Sequence, residues 1–136
     1  MQVQPYLYFD GRCEEAVEFY KKAIGATVDF MMRFQESPEP HPGGIPAGCE
    51  NKMMHASLRI GETVVMASDG YCKGKPTFSG ISLAIKVSTE ADAERLFTGL
   101  TDGGKATMPL TKTFYSPRFG MVTDRFGVSW MIIVQA

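Results

Sequence analysis

The chain has 136 residues, which is enough for one domain with its own core. Its net charge is −1 and its lysines and arginines are scattered, so the composition lacks the basic face that a nucleic-acid partner needs. No apolar run approaches the ~20 residues that span a bilayer, and the N-terminus has no export signal. These features predict a cytoplasmic protein with no membrane partner.

The three cysteines, Cys13, Cys49 and Cys72, are an odd number at wide spacings. Such a set argues against a disulfide framework and favours a reducing compartment. Cys13 and Cys72 would act as nucleophiles only beside a base, and the sequence shows no base near them. We therefore expect buried or idle thiols.

Apolar periodicity divides the first half of the chain into four strands and one helix. The helix is predicted to begin at Asp10–Gly11 and to end at Gly25, because acidic residues occupy its early turns and lysines its late turns. Its apolar stripe consists of Ala16, Val17, Tyr20, Ala23 and Ile24, with Phe19 at the border. The strands are predicted at residues 3–9, 26–34, 53–60 and 63–68.

A long segment rich in proline and glycine, residues 36–51, interrupts this half. It contains four of the eight prolines of the chain, which cannot continue a sheet, so we predict an exposed loop. Loops of this length are often functional, and the alternative is a tolerated surface insertion. His41 lies in this segment and is expected to be exposed. A metal site made from His41 and His55 would need further carboxylates that the sequence does not place.

The second half repeats the same kinds of element after a linker, residues 69–79. A strand is predicted over residues 80–87, and a helix then begins at Ser88–Thr89, where Thr89 and Asp92 have the spacing of a capping box. The apolar stripe of this helix consists of Ala93, Leu96, Phe97 and Leu100. The remaining features are the helix end at Gly103–Gly104, a strand over residues 105–113 and a hairpin that turns at Asp124–Gly127.

Both halves therefore have the order β-α-β-β-β, which predicts a duplicated module. Gly25 corresponds to Gly103, and Gly61 corresponds to Gly127. We predict an α+β fold and a single domain, residues 1–136, with tandem βαβββ modules over residues 1–69 and 80–136. Their strands would form a curved eight-stranded sheet around a cavity, with the helices outside.

Five short motifs carry a resemblance that covers nearly the whole chain. They are Pro5–Gly11, Glu15–Tyr20, Met54–Leu58, Met66–Asp69 and Phe119–Trp130. In these motifs the sequence resembles the vicinal-oxygen-chelate superfamily, which includes glyoxalase I, extradiol dioxygenases and bleomycin-resistance proteins, and within it the PhnB-like branch. The resemblance implies a homodimer. Members of that branch are often labelled 3-demethylubiquinone 3-methyltransferase-like, but this chain has no glycine-rich cofactor loop after a strand and the wrong element order for a doubly wound sheet.

In metal-dependent members of the superfamily, His or Glu side chains from the first and last strands of each module bind one divalent ion. The positions that correspond here offer Gln4 or Pro5, Met66 or Ser68, Ser82, and Met131. None of these is a usual ligand for a divalent ion. The resemblance therefore implies no metal and no cofactor at the usual position, while a divalent metal bound by other residues stays open.

The candidate catalytic residue is His55, on the third predicted strand. The apolar residues Met54, Ala56, Leu58 and Ile60 alternate there with His55, Ser57 and Arg59. One face of the strand is thus apolar, and the other carries an imidazole, a hydroxyl and a guanidinium. If the polar face lines the cavity, His55 would be an acid–base group, and Ser57 and Arg59 would bind an anionic or oxygen-rich molecule. The alternative is a sheet face that meets solvent or a partner chain.

Asp69 and Trp130 complete the predicted ligand-binding set. Asp69 ends a strand at the expected mouth of the cavity, although turn chemistry alone would explain it, and Trp130 would belong to the core or the cavity wall. Two functions stay open, which are an enzyme of unknown reaction and a metal-free protein that binds or sequesters a small molecule. A divalent-metal lyase, isomerase or dioxygenase would need ligands outside the usual positions.

Overall fold

A computed structural model describes residues 1–39, 43–70, 72 and 74–136. The chain divides into two compact units, Met1–Pro76 (unit 1) and Thr77–Ala136 (unit 2). The elements are β1 (Tyr6–Tyr8), α1 (Cys13–Ile24), β2 (Thr27–Arg33), β3 (Met53–Ile60), β4 (Thr63–Ser68), β5 (Leu83–Val87), α2 (Glu90–Thr101), β6 (Lys105–Thr111), β7 (Phe119–Thr123) and β8 (Ser129–Val134). This order confirms the predicted α+β fold with two tandem βαβββ modules. The predicted position of His41 lies outside the described residues.

Unit 1 is a four-stranded mixed sheet with α1 packed on it. The strand order is β1-β4-β3-β2, in which β1 and β4 are parallel and the other pairs are antiparallel. The predicted apolar stripe of α1 is buried, Phe19 included, and α1 contacts β3, whose Ala56 and Leu58 are buried. The helix ends as predicted at Gly25, whose φ of 70° is left-handed.

Unit 2 has the equivalent sheet, in the order β5-β8-β7-β6. The Thr89 side chain accepts a hydrogen bond from the Asp92 backbone N–H at 3.1 Å, which confirms the predicted start of α2. Ala93, Leu96 and Leu100 are buried as expected. Phe97 is only half-buried, and its ring packs on Gly120 of β7.

Four predicted strands are shorter in the structure, β2 and β6 by two residues each and β1 and β5 by more. β1 was expected over residues 3–9 and spans Tyr6–Tyr8, and β5 was expected over residues 80–87 and spans Leu83–Val87. Pro5 has no N–H for a ladder, although its carbonyl accepts from Met66 N at 2.9 Å. Gly80 has a φ of 76°, which interrupts an extended run.

The prediction that the cysteines remain unpaired is wrong for two of them. Cys49 and Cys72 form a disulfide, with 6.7 Å between their Cα atoms. The cause is tertiary, because β3 and β4 pair as a hairpin and so bring together the residues that flank it. Cys72 is therefore not a free nucleophile. Cys13 is a free, buried thiol, and burial followed by the nearby Asp69 charge raises its pKa, so it stays protonated at neutral pH.

No helix among the described residues is long and apolar enough to cross a bilayer.

A buried carboxylate organises the β7–β8 turn. Asp124 is 3% exposed, and its Oδ1 accepts from the Phe126 and Val128 backbone N–H groups at 2.9 and 3.0 Å. Its Oδ2 accepts from Trp130 Nε1 at 2.8 Å. The turn and the core indole of unit 2 are therefore held by one side chain.

Replacing Asp124 by Asn should destabilise the protein by about 2–4 kcal/mol, because an amide cannot accept on both sides and leaves a buried donor unpaired. Urea unfolding followed by the fluorescence of the single tryptophan measures this loss. Asp102→Asn is the matched control, since that side chain is 78% exposed in an ion pair with Arg125 and should cost less than ~1 kcal/mol. Equal losses for the two variants would contradict the role of Asp124.

Candidate functional site

The candidate catalytic residue lies on the sheet face of unit 1 that is opposite α1. On β3, Ala56 and Leu58 are buried, whereas His55 is half-buried. On β1, Leu7 is buried, whereas Tyr6 and Tyr8 are 36% and 52% exposed. The period-two alternation of both strands therefore places their aromatic and polar side chains together. We call this set the aromatic face, and it consists of Tyr6, Tyr8, Phe30, His55 and Ser57.

A chain of hydrogen bonds runs through the imidazole at the centre of this face. His55 Nδ1 is 3.0 Å from Tyr6 Oη, and His55 Nε2 is 3.1 Å from Ser57 Oγ. A neutral imidazole has one donor and one acceptor nitrogen, so the tautomer of His55 sets which group donates in each of the two hydrogen bonds. Partial burial raises the pKa of Tyr6, although a hydrogen bond with Ser68 opposes the shift. The phenol is thus neutral at physiological pH, and the chain can pass a proton between two hydroxyls.

Aromatic rings surround this hydrogen-bonded chain. The Tyr6 and Tyr8 rings stack with centroids 4.9 Å apart and an interplanar angle of 24°. The His55 centroid is 5.5 Å from the Tyr6 ring and 6.0 Å from the Phe30 ring. Phe30 comes from β2, opposite Ser57, and is 46% exposed. Three strands therefore supply a surface on which a flat molecule can stack beside a titratable group.

Arg59, the predicted anion-binding residue, is already paired. Its Nη2 lies 2.9 Å from Asp29 Oδ2, across the β2–β3 pair, and both side chains are partly exposed. An anionic ligand would have to compete with the Asp29 carboxylate for the guanidinium. The prediction that Arg59 binds a ligand stays a prediction.

Asp69, also predicted to bind a ligand, supports the backbone of unit 1. It is 2% exposed; its Oδ1 accepts from Gly11 N and Cys13 N at 2.7 and 2.8 Å, and its Oδ2 accepts from Met53 N at 2.9 Å. Both oxygens are thus used at the start of α1 and of β3. Trp130 is 2% exposed in unit 2, and its indole N–H donates a hydrogen bond to the Asp124 carboxylate. For these two residues, the contacts described explain the burial without a ligand.

Sequence reasoning missed Tyr6 and Phe30. Tyr6 was detectable in principle, because Tyr6-Leu7-Tyr8 alternates in the same way as His55-Ala56-Ser57. Phe30 was not, because its register opposite Ser57 follows a bulge between Val28 and Phe30 in the β2–β3 pairing.

The residues of each unit do not fit the metal site of the superfamily. In unit 1 the first and last strands pair Tyr6 with Met66 and Tyr8 with Ser68. In unit 2 the corresponding strands pair Leu83 with Trp130 and Ala84 with Met131, and Ser82 lies before β5. Phenols, thioethers and hydroxyls are poor ligands for a divalent ion without carboxylate or imidazole. The described part of the chain also holds no group of three His, Cys, Asp or Glu side chains arranged to hold a metal.

A cleft of ≈ 610 Å³ lies in unit 1 beside the start of α1. It is lined by Gly11, Glu14, Glu15, Arg33, Asn51, Lys52, Met53 and Asp69. Arg33 Nη2 lies 2.6 Å from Glu14 Oε2, and Lys52 Nζ donates to Gly11 O at 3.0 Å. The Arg33 hydrogen bond lowers the pKa of Glu14. The remaining acidic residue of the lining, Glu15, pairs with Arg12 at 2.8 Å, so each charge that lines this cleft already has a partner.

Comparisons with known proteins cover almost the whole chain. The profile of a protein family described as 3-demethylubiquinone-9 3-methyltransferase matches residues 1–133. Protein YjdN of Escherichia coli (strain K12) is 34% identical in an alignment that covers 98% of this chain and 95% of that protein.

Solved structures extend the likeness to the fold. Protein PA1353 from Pseudomonas aeruginosa is 42% identical with a TM-score of 0.87, over 99% of this chain and 98% of that one. A putative 3-demethylubiquinone-9 3-methyltransferase, PhnB protein, from Bacillus cereus is 26% identical with a TM-score of 0.80, over 98% and 99%. A glyoxylase/bleomycin resistance protein/dioxygenase domain from Frankia sp. EAN1pec has the same fold, with a TM-score of 0.68 at 12% identity over 100% and 98% of the two chains.

Replacing Asp69 by Ala should destabilise the protein by about 3 kcal/mol or more, because three backbone donors lose their acceptor in a buried site. Urea unfolding followed by far-UV circular dichroism measures the loss. Asp29→Ala is the control, because it removes a partly exposed carboxylate from an ion pair and should cost less than ~1 kcal/mol. A loss at Asp69 no larger than that at Asp29 would show that the backbone contacts contribute little.

Replacing Glu14 by Gln should lower the urea midpoint slightly near neutral pH, and this difference should disappear as the pH falls below the folded-state pKa of Glu14. The folded-state pKa of Glu14 is depressed, so its contribution is present above the unfolded pKa and is lost as the pH falls through the folded pKa. Glu62→Gln is the control, since Glu62 forms no ion pair within the described ranges. A Glu14→Gln difference that persists at low pH would contradict the assignment.

Proposed function

Because this chain belongs to the family described as 3-demethylubiquinone-9 3-methyltransferase, in its PhnB-like branch with the glyoxalase fold, we propose that it binds a small molecule on the aromatic face of unit 1. In this proposal His55 is the acid–base group of the site. The observation that carries the proposal is the Tyr6–His55–Ser57 hydrogen-bonded chain, which lies on a sheet face that remains partly open.

The aromatic face combines exposed rings with polar groups. Tyr6, Tyr8 and Phe30 are all at least a third exposed, and large aromatic side chains grouped on a surface usually mark a binding site. Stacking on these rings would supply affinity for a planar ligand, and the hydroxyl–imidazole chain would orient a ligand oxygen. His55 would then exchange a proton with that oxygen, and its second nitrogen would remain bonded to a neighbouring hydroxyl.

The proposed function does not include methyl transfer, although the name of the family refers to it. Each sheet of this chain combines one parallel pair with two antiparallel pairs. The doubly wound sheets that hold a nucleotide-like cofactor instead bind it at the carboxyl ends of parallel strands, over a glycine-rich turn. The likeness to the family therefore supports a common fold, and the chemistry has to be argued from the side chains of the site.

Binding without chemistry is the second candidate, and one observation favours it. Both nitrogens of His55 already have hydroxyl partners, so the imidazole fits a structural role in shaping the face as well as a catalytic one. A sequestering protein needs the stacking surface and an orienting polar group, and it needs no free base. The homodimer remains part of the proposal and rests on the resemblance alone.

The test is a screen of planar aromatic compounds that carry a hydroxyl or carboxyl group, followed by amide chemical-shift mapping. We expect Phe30→Ala to weaken the binding of a hit about tenfold, corresponding to roughly 1.4 kcal/mol of lost stacking. Tyr6→Phe should alter the chemical shift of the His55 ring nitrogens, whereas Tyr115→Phe, the control in unit 2, should not. Hits whose affinity is the same in Phe30→Ala and the parent would exclude the aromatic face as the site.

His55→Ala separates the two candidates. Turnover of a hit by the parent, lost in His55→Ala while binding is retained, supports acid–base catalysis. Binding by the parent without turnover supports sequestration.

A further inference from the structure

The disulfide in unit 1 joins two turns at the ends of one hairpin. Cys49 lies before β3, where its N–H donates to Pro46 O and its carbonyl accepts from Lys52 N, each at 3.0 Å. Cys72 lies after β4, and its N–H donates to Asp69 O at 3.1 Å. The covalent link therefore connects the entry of β3 to the exit of β4.

The same strand ends are also joined by hydrogen bonds. Asp69 N donates to Met53 O at 2.9 Å, and the Asp69 carboxylate accepts from Met53 N at 2.9 Å. The hairpin itself is paired from Ala56 and Ala67 to its turn. Opening the disulfide would therefore leave β3 and β4 in place. It would release the turn Pro46–Cys49 and the backbone of Cys72 from their covalent link. Glu50 and Lys52 would stay in place, because their carbonyls accept from Gln35 N and Phe34 N at 3.0 Å each.

The two cysteine residues differ in their exposure to solvent. Cys49 is 4% exposed, whereas Cys72 is half-buried. Cys72 also has a φ of 54°, a left-handed conformation that costs energy for a residue with a Cβ. Breaking the bond would let this residue relax. The greater exposure of Cys72 favours its sulfur as the one that an incoming thiol attacks.

We propose that Cys49 and Cys72 are a reversible thiol–disulfide site that responds to small dithiols. A dithiol thiolate attacks Cys72 Sγ, and the Cys49 sulfur leaves as a thiolate and takes up a proton. The second thiol of the reagent then attacks the reagent sulfur that is bonded to Cys72, and the Cys72 sulfur leaves and takes up a proton. The protein gains two electrons and two protons, and the reagent leaves as a cyclic disulfide. Cys13 takes no part, because it is buried and remains a protonated thiol.

The site reaches the aromatic face through one contact. A Cβ on Gly70 would lie 3.2 Å from Tyr8 Cδ1, so the Tyr8 ring packs on Gly70, which lies two residues before Cys72. Reduction at Cys72 would therefore change the support of the Tyr8 ring. Any consequence for ligand affinity rests on the proposed function, whereas the thiol chemistry and its local effect do not.

The first measurement is a count of thiols in protein purified without reductant and exposed to oxidised glutathione. We expect one alkylated cysteine per denatured chain, Cys13, and all three after treatment with dithiothreitol. Three alkylated cysteines before reduction would overturn the proposal. One alkylated cysteine per chain after native protein has been kept in excess dithiothreitol would also overturn the proposal. The disulfide would then be inert to thiols in the folded state.

The second measurement is native-state amide exchange with and without dithiothreitol. We expect exchange at Cys49, Lys52 and Cys72 to accelerate at least tenfold on reduction, while the Phe126 and Val128 amides, held by Asp124 in unit 2, do not change. The Tyr8 ring resonances should shift. Equal exchange rates in the oxidised and reduced protein would overturn the proposal.

Matched variants make the result specific. Cys49→Ser should show the fast exchange without reductant and no further change with it, whereas Cys13→Ala should behave as the parent does. A response to dithiothreitol that persists in Cys49→Ser would show that the disulfide is not its origin. No ligand is used in these measurements, so their failure is distinct from a failure to find a ligand for the aromatic face.

Discussion

The buried carboxylate of Asp69 is the constraint on which unit 1 depends. Its two oxygens accept backbone N–H groups from the start of α1 and from the first residue of β3. A side chain at the end of β4 thereby sets where the helix begins and where the hairpin enters the sheet. An unpaired buried charge would be costly, so this arrangement tolerates few alternatives. Asp124 has a comparable role in unit 2, where its carboxylate accepts hydrogen bonds from the β7–β8 turn and from the indole of Trp130.

The aromatic face follows from that organisation. Once α1 covers one side of the sheet, the alternating residues of β1 and β3 must lie on the other side. Tyr6, His55 and Ser57 meet there because β4 pairs with both of those strands. Their hydrogen-bonded order gives the face a titratable centre, and the neighbouring rings give it a stacking surface. Neither property depends on a metal ion.

The disulfide adds a covalent link to a region that is already well held. The hydrogen bonds between Asp69 and Met53 keep the strand ends together, so the bond between Cys49 and Cys72 acts mainly on the turns outside them. In the proposed reduction, the turn Pro46–Cys49 would lose its covalent link while the strand ends keep their hydrogen bonds. The disulfide also gives the Tyr8 ring a neighbour whose order depends on the state of two sulfurs.

The sequence by itself determined the tandem βαβββ order, the apolar stripe of α1, and the glycine positions that end helices and turn hairpins. Those features follow from local periodicity and from backbone angles that few residues adopt. It also identified His55 and its strand face, because alternation along a strand is a local property. Only the tertiary structure decided that Tyr6 and Phe30 flank His55, that Asp69 holds the backbone, that Arg59 is paired with Asp29, and that Cys49 meets Cys72. Each of these contacts joins residues far apart in the chain, and strand pairing and register, which local sequence does not encode, bring them together.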